Sequence, residues 1–317
     1  MDFANGKITQ DFLGSGSPNL NQWGKYYKII RKCNSILQNL DRPKDLTNSD
    51  RLRLEGYTRF IRAFAYYNIL VDYGPAILLG DEVVNTNEPI EYYDRPRATY
   101  DETMNYTCEE FEKAARLLPL PQDVSTLDFG RPTKGAALGL VARLRLIHAS
   151  PLFNGNPDLK DWKNSEGEFL FDAEAKPERW EKAAKAHLDL IKAAEAAGHK
   201  LYYEYNVDGS IDPFMSYYNM SLKRFSEGNK EILFGRPENV DLNYWQAHHL
   251  PKGIGGNAAM GVTQELVDAF YMKNGEMPIL GYNEDGSPII NPESGYVENG
   301  FSTNTEYRTC LLYTSPS

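Results

Sequence analysis

Five segments of this 317-residue chain repeat apolar residues every three or four positions, and no other feature constrains the fold as strongly. The first repeat runs through Trp23, Tyr26, Ile30, Cys33, Leu37 and Leu40. In an α-helix these positions share one face, so the spacing predicts an amphipathic helix. Asp41-Arg42-Pro43 should end it, because proline cannot continue a helix.

Helix-start and helix-stop signals bracket the other four segments. Thr47 and Thr99 are each followed three residues later by an acidic residue, as in a capping box, and Thr133 is a third candidate cap. The predicted helices end at Gly74-Pro75, at Pro119, near His148 and at Gly198, the last running from Pro177 to Ala197. Gly56 lies in the apolar stripe of the second helix and would let a neighbouring helix approach closely.

Period-two alternation is confined to short stretches such as residues 232–234, so the predicted fold class is all-α. Helices of this length and spacing favour stacked helical hairpins similar to tetratricopeptide units, although the spacing is too irregular for a clean repeat. We predict a helical scaffold over residues 1–200. Residues 201–317 are predicted to form a loop-rich, ligand-binding region packed on that scaffold.

Charge and composition exclude several classes of function. The formal charge is −10, from 44 acidic and 34 basic residues, and no cluster of lysine and arginine is present that could neutralise phosphates. Nucleic acids and anionic polymers are therefore disfavoured as ligands. The three cysteines form no CxxC pair, which argues against a zinc ribbon. No apolar run approaches the ~18 residues of a membrane span.

Three short motifs have plausible but weak chemical interpretations. Residues 253–258 match a dinucleotide-binding glycine pattern but lack the required preceding strand, so a plain loop is favoured. The pair His248-His249 lacks metal-ligand spacing. The two Asn-x-Asp-Gly-Ser sequences at 206–210 and 283–287 favour turns, with a structural calcium left open. No catalytic constellation and no cofactor motif is found.

Aromatic residues make up 12% of the chain, more than a core of this size needs, and several fall outside the predicted helices. Consecutive loop aromatics cannot all point into one core, and a sugar ring can pack its C–H faces on an aromatic plane. We predict a ligand site formed by Tyr217, Tyr218, Asn243, Tyr244, Trp245, His248 and His249. Alternatively, these aromatics seal the loops. Trp23 and Trp180 lie in helix stripes and are predicted to be core residues.

Four segments together resemble the SusD/RagB family of nutrient-binding outer-membrane lipoproteins. They are RFIRAFAYYNILVDYG at 59–74, RATYDETMNYTCEEFEKAARLLP at 97–119, GRPTKGAALGLVARLRLIHASPLFNG at 130–155 and TQELVDAFYMKNGEMPI at 263–279. They occur in the order found in that family. The resemblance implies four tetratricopeptide-like units, an irregular half that forms the ligand face, and no catalytic activity. It also implies a TonB-dependent SusC-like transporter as partner and a lipid anchor at the cell surface.

Some features depart from the family pattern. The first thirty residues lack a signal peptide and an anchoring cysteine, Pro75 follows Gly74 directly, and the last residues, TCLLYTSPS, are unlike family sequence. We therefore expect a fragment that lacks both gene ends, in which Cys310 carries no function. Two alternatives to an oligosaccharide-binding protein stay open at this point. They are a helical glycoside hydrolase or lyase, and a tetratricopeptide adaptor that binds protein tails.

Overall fold

A computed structural model of the protein describes residues 21–124, 128, 130–224, 227–235, 242–250, 252–257, 261 and 263–297. The α-helices within these ranges are α1 Trp23–Gln38, α2 Asn48–Tyr73, α3 Tyr100–Leu117, α4 Lys134–Ala149, α5 Glu178–Ala196, α6 Pro213–Leu222, α7 Leu242–His249 and α8 Gln264–Asp268. The strands are β1 Glu204–Tyr205, β2 Ile211–Asp212, β3 Ile279–Tyr282 and β4 Pro288–Ile290. The chain forms two compact units, Met1–Pro237 and Glu238–Ser317.

The first unit is a scaffold of consecutive helices. Each helix from α1 to α5 packs on the next one along the chain. The predicted all-α class with a helical-hairpin scaffold is thereby confirmed. The predicted division of the chain at residue 200, into a scaffold and a ligand-binding region, stays a prediction.

Local capping signals fix where the scaffold helices begin. The Thr99 hydroxyl accepts a hydrogen bond from Glu102 N at 3.2 Å, and the Glu102 carboxylate accepts one from Thr99 N at 2.8 Å, which completes the predicted capping box. Thr47 and Thr133 cap α2 and α4 through their hydroxyls, as predicted. At Thr47 the capping box is not reciprocal, because the Asp50 carboxylate accepts a hydrogen bond from the Thr47 hydroxyl and not from the Thr47 backbone N–H.

A single glycine lets α2 and α3 come into close contact. A Cβ atom added at Gly56 would lie 2.9 Å from Leu117 Cβ and 3.2 Å from the Leu117 carbonyl carbon. Contacts that short do not occur between relaxed side chains, so the helices could not pack this closely with a larger residue there. The close approach predicted at Gly56 is confirmed.

Two hydrophobic clusters form the core of the scaffold. The larger one joins α2, α3 and α4 to the segment containing Leu170 and Phe171 and is centred on the fully buried Met104 and Phe111. The smaller one joins α1 to α2 through Ile30, Tyr66 and other residues. The predicted faces of α1, α3 and α4 therefore point inward.

A buried charge network that periodicity did not reveal connects three elements. Arg62 of α2 and Glu110 of α3 are each about 1% exposed, and the guanidinium donates two hydrogen bonds to Glu110 Oε2. Its Nη1 also donates to Asn34 Oδ1 at 2.7 Å and to Asp81 Oδ1 at 2.6 Å. Because Asn34 in turn donates to backbone carbonyls of the segment after α2, the network holds that segment against the helices.

The predicted inward face of α5 is wrong. Trp180, Leu188 and Ile191 are each about half exposed, whereas Arg179 and Ala183 are buried. The guanidinium of Arg179 faces inward because it pairs with Asp101 and Asp172. The predicted core position of Trp180 is thus incorrect, while Trp23 packs partly buried against the smaller cluster.

The strands form two antiparallel hairpins, β1–β2 and β3–β4. Residues 232–234, the short strand candidate, form no strand. Among the described residues, no helix combines the length and the apolar composition needed to cross a membrane.

Candidate functional site

A hairpin and a helix in the first unit display exposed aromatic side chains. The hairpin loop is one of the two Asn-x-Asp-Gly-Ser sequences. Asn206 N donates to Ser210 O at 2.8 Å, Ser210 N donates to Asp208 Oδ1 at 2.9 Å, and Gly209 has a φ of 83°, a conformation that glycine adopts readily. The sequence at 283–287 closes β3–β4 with the same bonds. Both motifs are turns, as predicted.

Helix α6 begins directly after the hairpin because its first residues are strong start signals. Asp212 Oδ1 accepts a hydrogen bond from Met215 N at 2.9 Å, and Pro213 occupies the first turn, where its missing N–H costs nothing. The buried Ser216 hydroxyl accepts from Glu204 N at 2.8 Å and donates to Asp212 O at 2.6 Å. These bonds dock one side of α6 on the hairpin.

The opposite side of α6 is an aromatic face formed by Phe214, Tyr217 and Tyr218. Their spacing of three and four residues places them side by side on the helix. Phe214, Tyr217 and Tyr218 are 72%, 77% and 52% exposed, and the rings of Phe214 and Tyr218 are nearly parallel, at 11°, with centroids 6.1 Å apart. Three large aromatic side chains in contact with water, one pair stacked, offer planes on which a ligand can pack.

The segment that carries the aromatic face contains charges of one sign. Residues 202–222 contain Glu204, Asp208 and Asp212 and no lysine, arginine or histidine. Hydrogen bonds from the Ser210 hydroxyl and backbone hold the pKa of Asp208 below its usual value, so it stays ionised. The phenol of Tyr202 donates to Glu204, and the Asn219 amide donates to the same carboxylate at 3.0 Å. These carboxylates disfavour an anionic ligand next to the first turns of α6, whereas Lys223 and Arg224 follow the end of the helix.

The structure separates the predicted site residues into two groups. Tyr217 and Tyr218 belong to the aromatic face of the first unit. Asn243, Tyr244, Trp245, His248 and His249 all lie in α7 of the second unit. The predicted location of both aromatic pairs in loops is therefore wrong, since α6 and α7 are helices. The side chains of Asn243, Tyr244 and Trp245 lie outside the described residues, and His249 is the more exposed of the two histidines.

The glycine loop after α7 is more closed than the sequence suggests. Glycines without side chains between Gly253 and Gly261 could leave space for a ligand beside the backbone. At Gly256 that space is taken by the chain itself, because an added Cβ would lie 1.9 Å from Leu250 O. Gly253, Gly255 and Gly261 have no such neighbour. The dinucleotide-like glycine pattern at 253–258 overlaps a short 3-10 turn at Lys252–Ile254, and no strand precedes it in the described part of this unit.

A groove of about 630 Å³ in the first unit contains a carboxylate, Asp101, whose environment disfavours a role as general acid. Asp101 and Asp172 line it, and both accept hydrogen bonds from Arg179, with Lys176 Nζ 2.7 Å from Asp172. Contact with His148, then Arg179 and Lys176, holds the pKa of Asp101 well below its usual range despite partial burial. A general acid needs a raised pKa, so this carboxylate is suited to ion pairing and not to donating a proton.

Metal binding finds no support in the described part of the chain. Nowhere in it do three or more His, Cys, Asp or Glu side chains form a group that could hold a metal ion.

The exposed Trp162, another aromatic outside the helices, makes an edge contact with Phe171 at 6.4 Å and is separate from α6 along the chain. The aromatic face is thus the best-defined candidate site.

Sequence signals could have revealed α6. An aspartate followed by proline marks a helix start, and the three aromatics that follow at positions 214, 217 and 218 have helical spacing. The aromatic composition suggested a loop, and Phe214 was not recognised as a partner of Tyr218. Only the structure shows that the Phe214 ring is exposed.

Comparisons with known proteins agree with the architecture. Residues 3–146 match a family model of SusD-like proteins, described as starch-binding and associating with the outer membrane. The chain superimposes on the protein BT4246 with a TM-score of 0.68 and 24% identity, covering 84% of this chain and 49% of that one. A SusD-like protein from Bacteroides fragilis gives a TM-score of 0.58 and 26% identity over 84% of this chain and 44% of the other.

A SusD-like carbohydrate-binding protein from the same organism shows the same fold, with a TM-score of 0.55 and 21% identity over 80% of this chain and 40% of the other. The chain therefore spans half the length of these solved structures or less. A search of curated proteins found no match. The family match over residues 3–146 and the shared fold confirm the resemblance to SusD-like proteins that the four sequence segments indicated.

Proposed function

We propose that this protein binds oligosaccharides through the aromatic face of α6 and does not alter them chemically. The observation that carries the proposal is the exposed group of Phe214, Tyr217 and Tyr218 on a helix that Ser216 bonds to the hairpin. Sugar rings pack their C–H faces on such planes, and the hydroxyls can bond to nearby amide and carboxylate groups such as those of Asn219 and Glu204. The carbohydrate binding named for a protein of the same fold supports it.

The same proposal includes a place in the cell. The family description, association with the outer membrane, supports a cell-surface protein. We propose that it is lipid-anchored there and delivers its glycan to a SusC-like TonB-dependent transporter. Co-purification of that transporter with the protein from outer membranes tests this part, and an absence of any co-purifying barrel would refute it.

The ligand site is tested by removing one ring at a time. Tyr217→Ala should weaken oligosaccharide binding by about 2 kcal/mol, roughly 30-fold, because a well-exposed stacking aromatic acts as a binding hot spot. Isothermal titration with a panel of neutral oligosaccharides measures the change. The thermal unfolding midpoint should barely move, since the ring is mostly exposed and contributes little to the core.

Trp180→Ala is the matched control, because it removes another half-exposed aromatic from the same unit but from α5. Equal affinity of wild type and Tyr217→Ala for every bound glycan would exclude the aromatic face. The predicted contribution of Trp245 is examined with Trp245→Ala in the same assay. Chromatography of the panel after long incubation tests the non-catalytic part, and cleavage that persists through purification would favour a glycoside hydrolase or lyase.

A further inference from the structure

A second groove lies on the scaffold between α1 and the segment that follows α2. Its volume is about 390 Å³, and its walls are Trp23 and Tyr27 on one side and Ile77, Leu79 and Val84 on the other. A volume of this size is within the range of ligand-binding clefts. The residues that line it do not overlap with the aromatic face of α6.

Hydrogen bonds between α1 and the opposite wall hold this groove in shape. The Tyr27 hydroxyl accepts from Ile77 N at 2.8 Å and donates to Ile77 O at 3.1 Å. Arg31 Nε donates to Val84 O at 2.7 Å, and Asn34 Nδ2 donates to Glu82 O at 2.7 Å. A groove whose walls are already fixed loses little conformational entropy when a ligand binds.

The charge of the groove is opposite to that of the chain. Lys28, Arg31 and Arg95 line it and no carboxylate does, although the chain carries a formal charge of −10. Arg95 is neutralised by Glu82, to which it donates at 2.6 and 2.8 Å. Arg31 donates a hydrogen bond from Nε to Val84 O. Within the described residues, the exposed Lys28 ammonium makes no hydrogen bond or ion pair. Two cationic groups are thus left to attract an anion.

The walls are unsuited to a sugar ring. The Arg97 guanidinium lies 4.9 Å from the centre of the Trp23 ring, and Tyr27 and Tyr73 contact the same ring at 5.0 and 5.4 Å. Trp23 is thus already in contact on several sides, and the remaining wall consists of Ile77, Leu79 and Val84 with one tyrosine, Tyr93, whose hydroxyl is bonded to Glu88 N and Asn85 O. Apolar side chains fit such walls better than hydroxylated rings do.

Polar groups in the groove favour a peptide over a hydrocarbon acid. Asn85 and Thr86 line it and provide a side-chain carbonyl and a hydroxyl. A peptide backbone can bond to both groups, whereas an alkyl chain would leave them unsatisfied. We propose that the groove binds an extended segment of a partner protein in which apolar residues and carboxylates alternate.

A fluorescein-labelled peptide of alternating leucine and glutamate is the probe, measured by fluorescence anisotropy with the full chain. Lys28→Glu should weaken its binding at least tenfold, because the substitution replaces attraction by repulsion. Lys32→Glu makes the same charge change on an exposed residue of α1 that does not line the groove, and it should have little effect. Raising the salt concentration should reduce binding to the wild type.

A steric pair of variants tests the position independently of charge. Gly24 lines the groove and has no atom within 4 Å of an added Cβ, so Gly24→Ala fits without a clash. Gly24→Ala should bind the peptide nearly as the wild type does, whereas Gly24→Phe should fill the groove and abolish binding. Circular dichroism verifies that each variant is folded.

Three outcomes would overturn the proposal. The first is no binding of the acidic peptide, and the second is equal binding of a leucine–lysine peptide. The third is binding of sodium octanoate at this groove without binding of the peptide, which would identify a site for small hydrophobic acids. Because the aromatic face is tested by glycans and this groove by peptides, either can fail while the other holds.

Discussion

The buried Arg62–Glu110 pair should be strongly coupled in a double-mutant cycle. Both side chains are about 1% exposed, so replacing one removes the main buried partner of the other, which keeps only contacts to more exposed groups: Asp81 for Arg62, and Lys113 and Arg59 for Glu110. Breaking such a pair costs about 3 to 5 kcal/mol of the free energy of unfolding. We expect Arg62→Met and Glu110→Met each to destabilise the protein by that amount, which gives about 6 to 10 kcal/mol if the two effects were independent.

The double variant should cost much less than that sum. With both charges gone, the remaining penalty comes mainly from Asn34, a fully buried residue whose Oδ1 loses the hydrogen bond from Arg62. Leaving one buried polar atom unsatisfied costs about 1 to 3 kcal/mol. The expected coupling free energy is therefore at least about 3 kcal/mol in magnitude.

Urea denaturation followed by far-UV circular dichroism measures each corner of the cycle. Lys185→Met serves as the control for charge removal, because Lys185 forms an exposed pair with Asp189 on α5 and should change stability little. Additivity of the two single variants within about 0.5 kcal/mol would refute the reasoning, since it would mean that the two charges are solvated separately.

Two further predictions concern packing and pH. Gly56→Ala should lower the free energy of unfolding by about 1 to 3 kcal/mol, because its Cβ would clash with Leu117. Gly24→Ala is the control and should not lower it, since nothing lies within 4 Å of its added Cβ. Equal stability of the two variants in urea denaturation would contradict the close packing of α2 and α3. Burial is the main reason that the pKa of His148 is lowered in the folded state, so its contribution to stability is complete above the unfolded pKa near 6.5 and is lost as the pH falls below that value through the lower folded-state pKa. His148→Gln should therefore flatten the decline in unfolding midpoint between about pH 7 and pH 5, and an unchanged decline would show that His148 is not its source.

The scaffold was predictable because its boundaries depend on neighbouring residues. Thr99 and Glu102, or Thr133 alone, set a helix start within one turn, and Gly74 ends α2 with a φ of 77°. Apolar periodicity then identified one face for each helix. Such signals act over three or four residues, and the sequence displays them directly.

What periodicity could not predict is which face another element covers. The stripe of α5 that contains Trp180 faces water, because Arg179 pairs with Asp101, a residue 78 positions earlier in the chain. The Arg62–Glu110 pair likewise joins residues 48 positions apart. Contacts between distant residues leave no periodic signature in one sequence, so these parts required the structure.

The candidate site was only partly predictable for the same reason. The excess of aromatic residues indicated a binding surface, and Tyr217 and Tyr218 are exposed on it. Their arrangement depends on Ser216, which docks α6 on the hairpin through bonds to residues 204 and 212. The contribution of the α7 residues, from Asn243 to His249, remains a prediction.

The hairpin loop at 206–210 provides a position for an optical reporter. All the bonds that shape this loop lie within five residues, and Val207 at its tip is fully exposed, two residues from Tyr205 on β1. A cysteine at 207 could carry an environment-sensitive dye next to the hairpin that supports α6 without disturbing these bonds. The native thiols of Cys33 and Cys108 are buried, which raises their pKa to about 11 and about 12 and keeps them unreactive at neutral pH. With Cys310 replaced by serine, labelling would be selective, and the dye would convert ligand capture into a change of emission in intact cells.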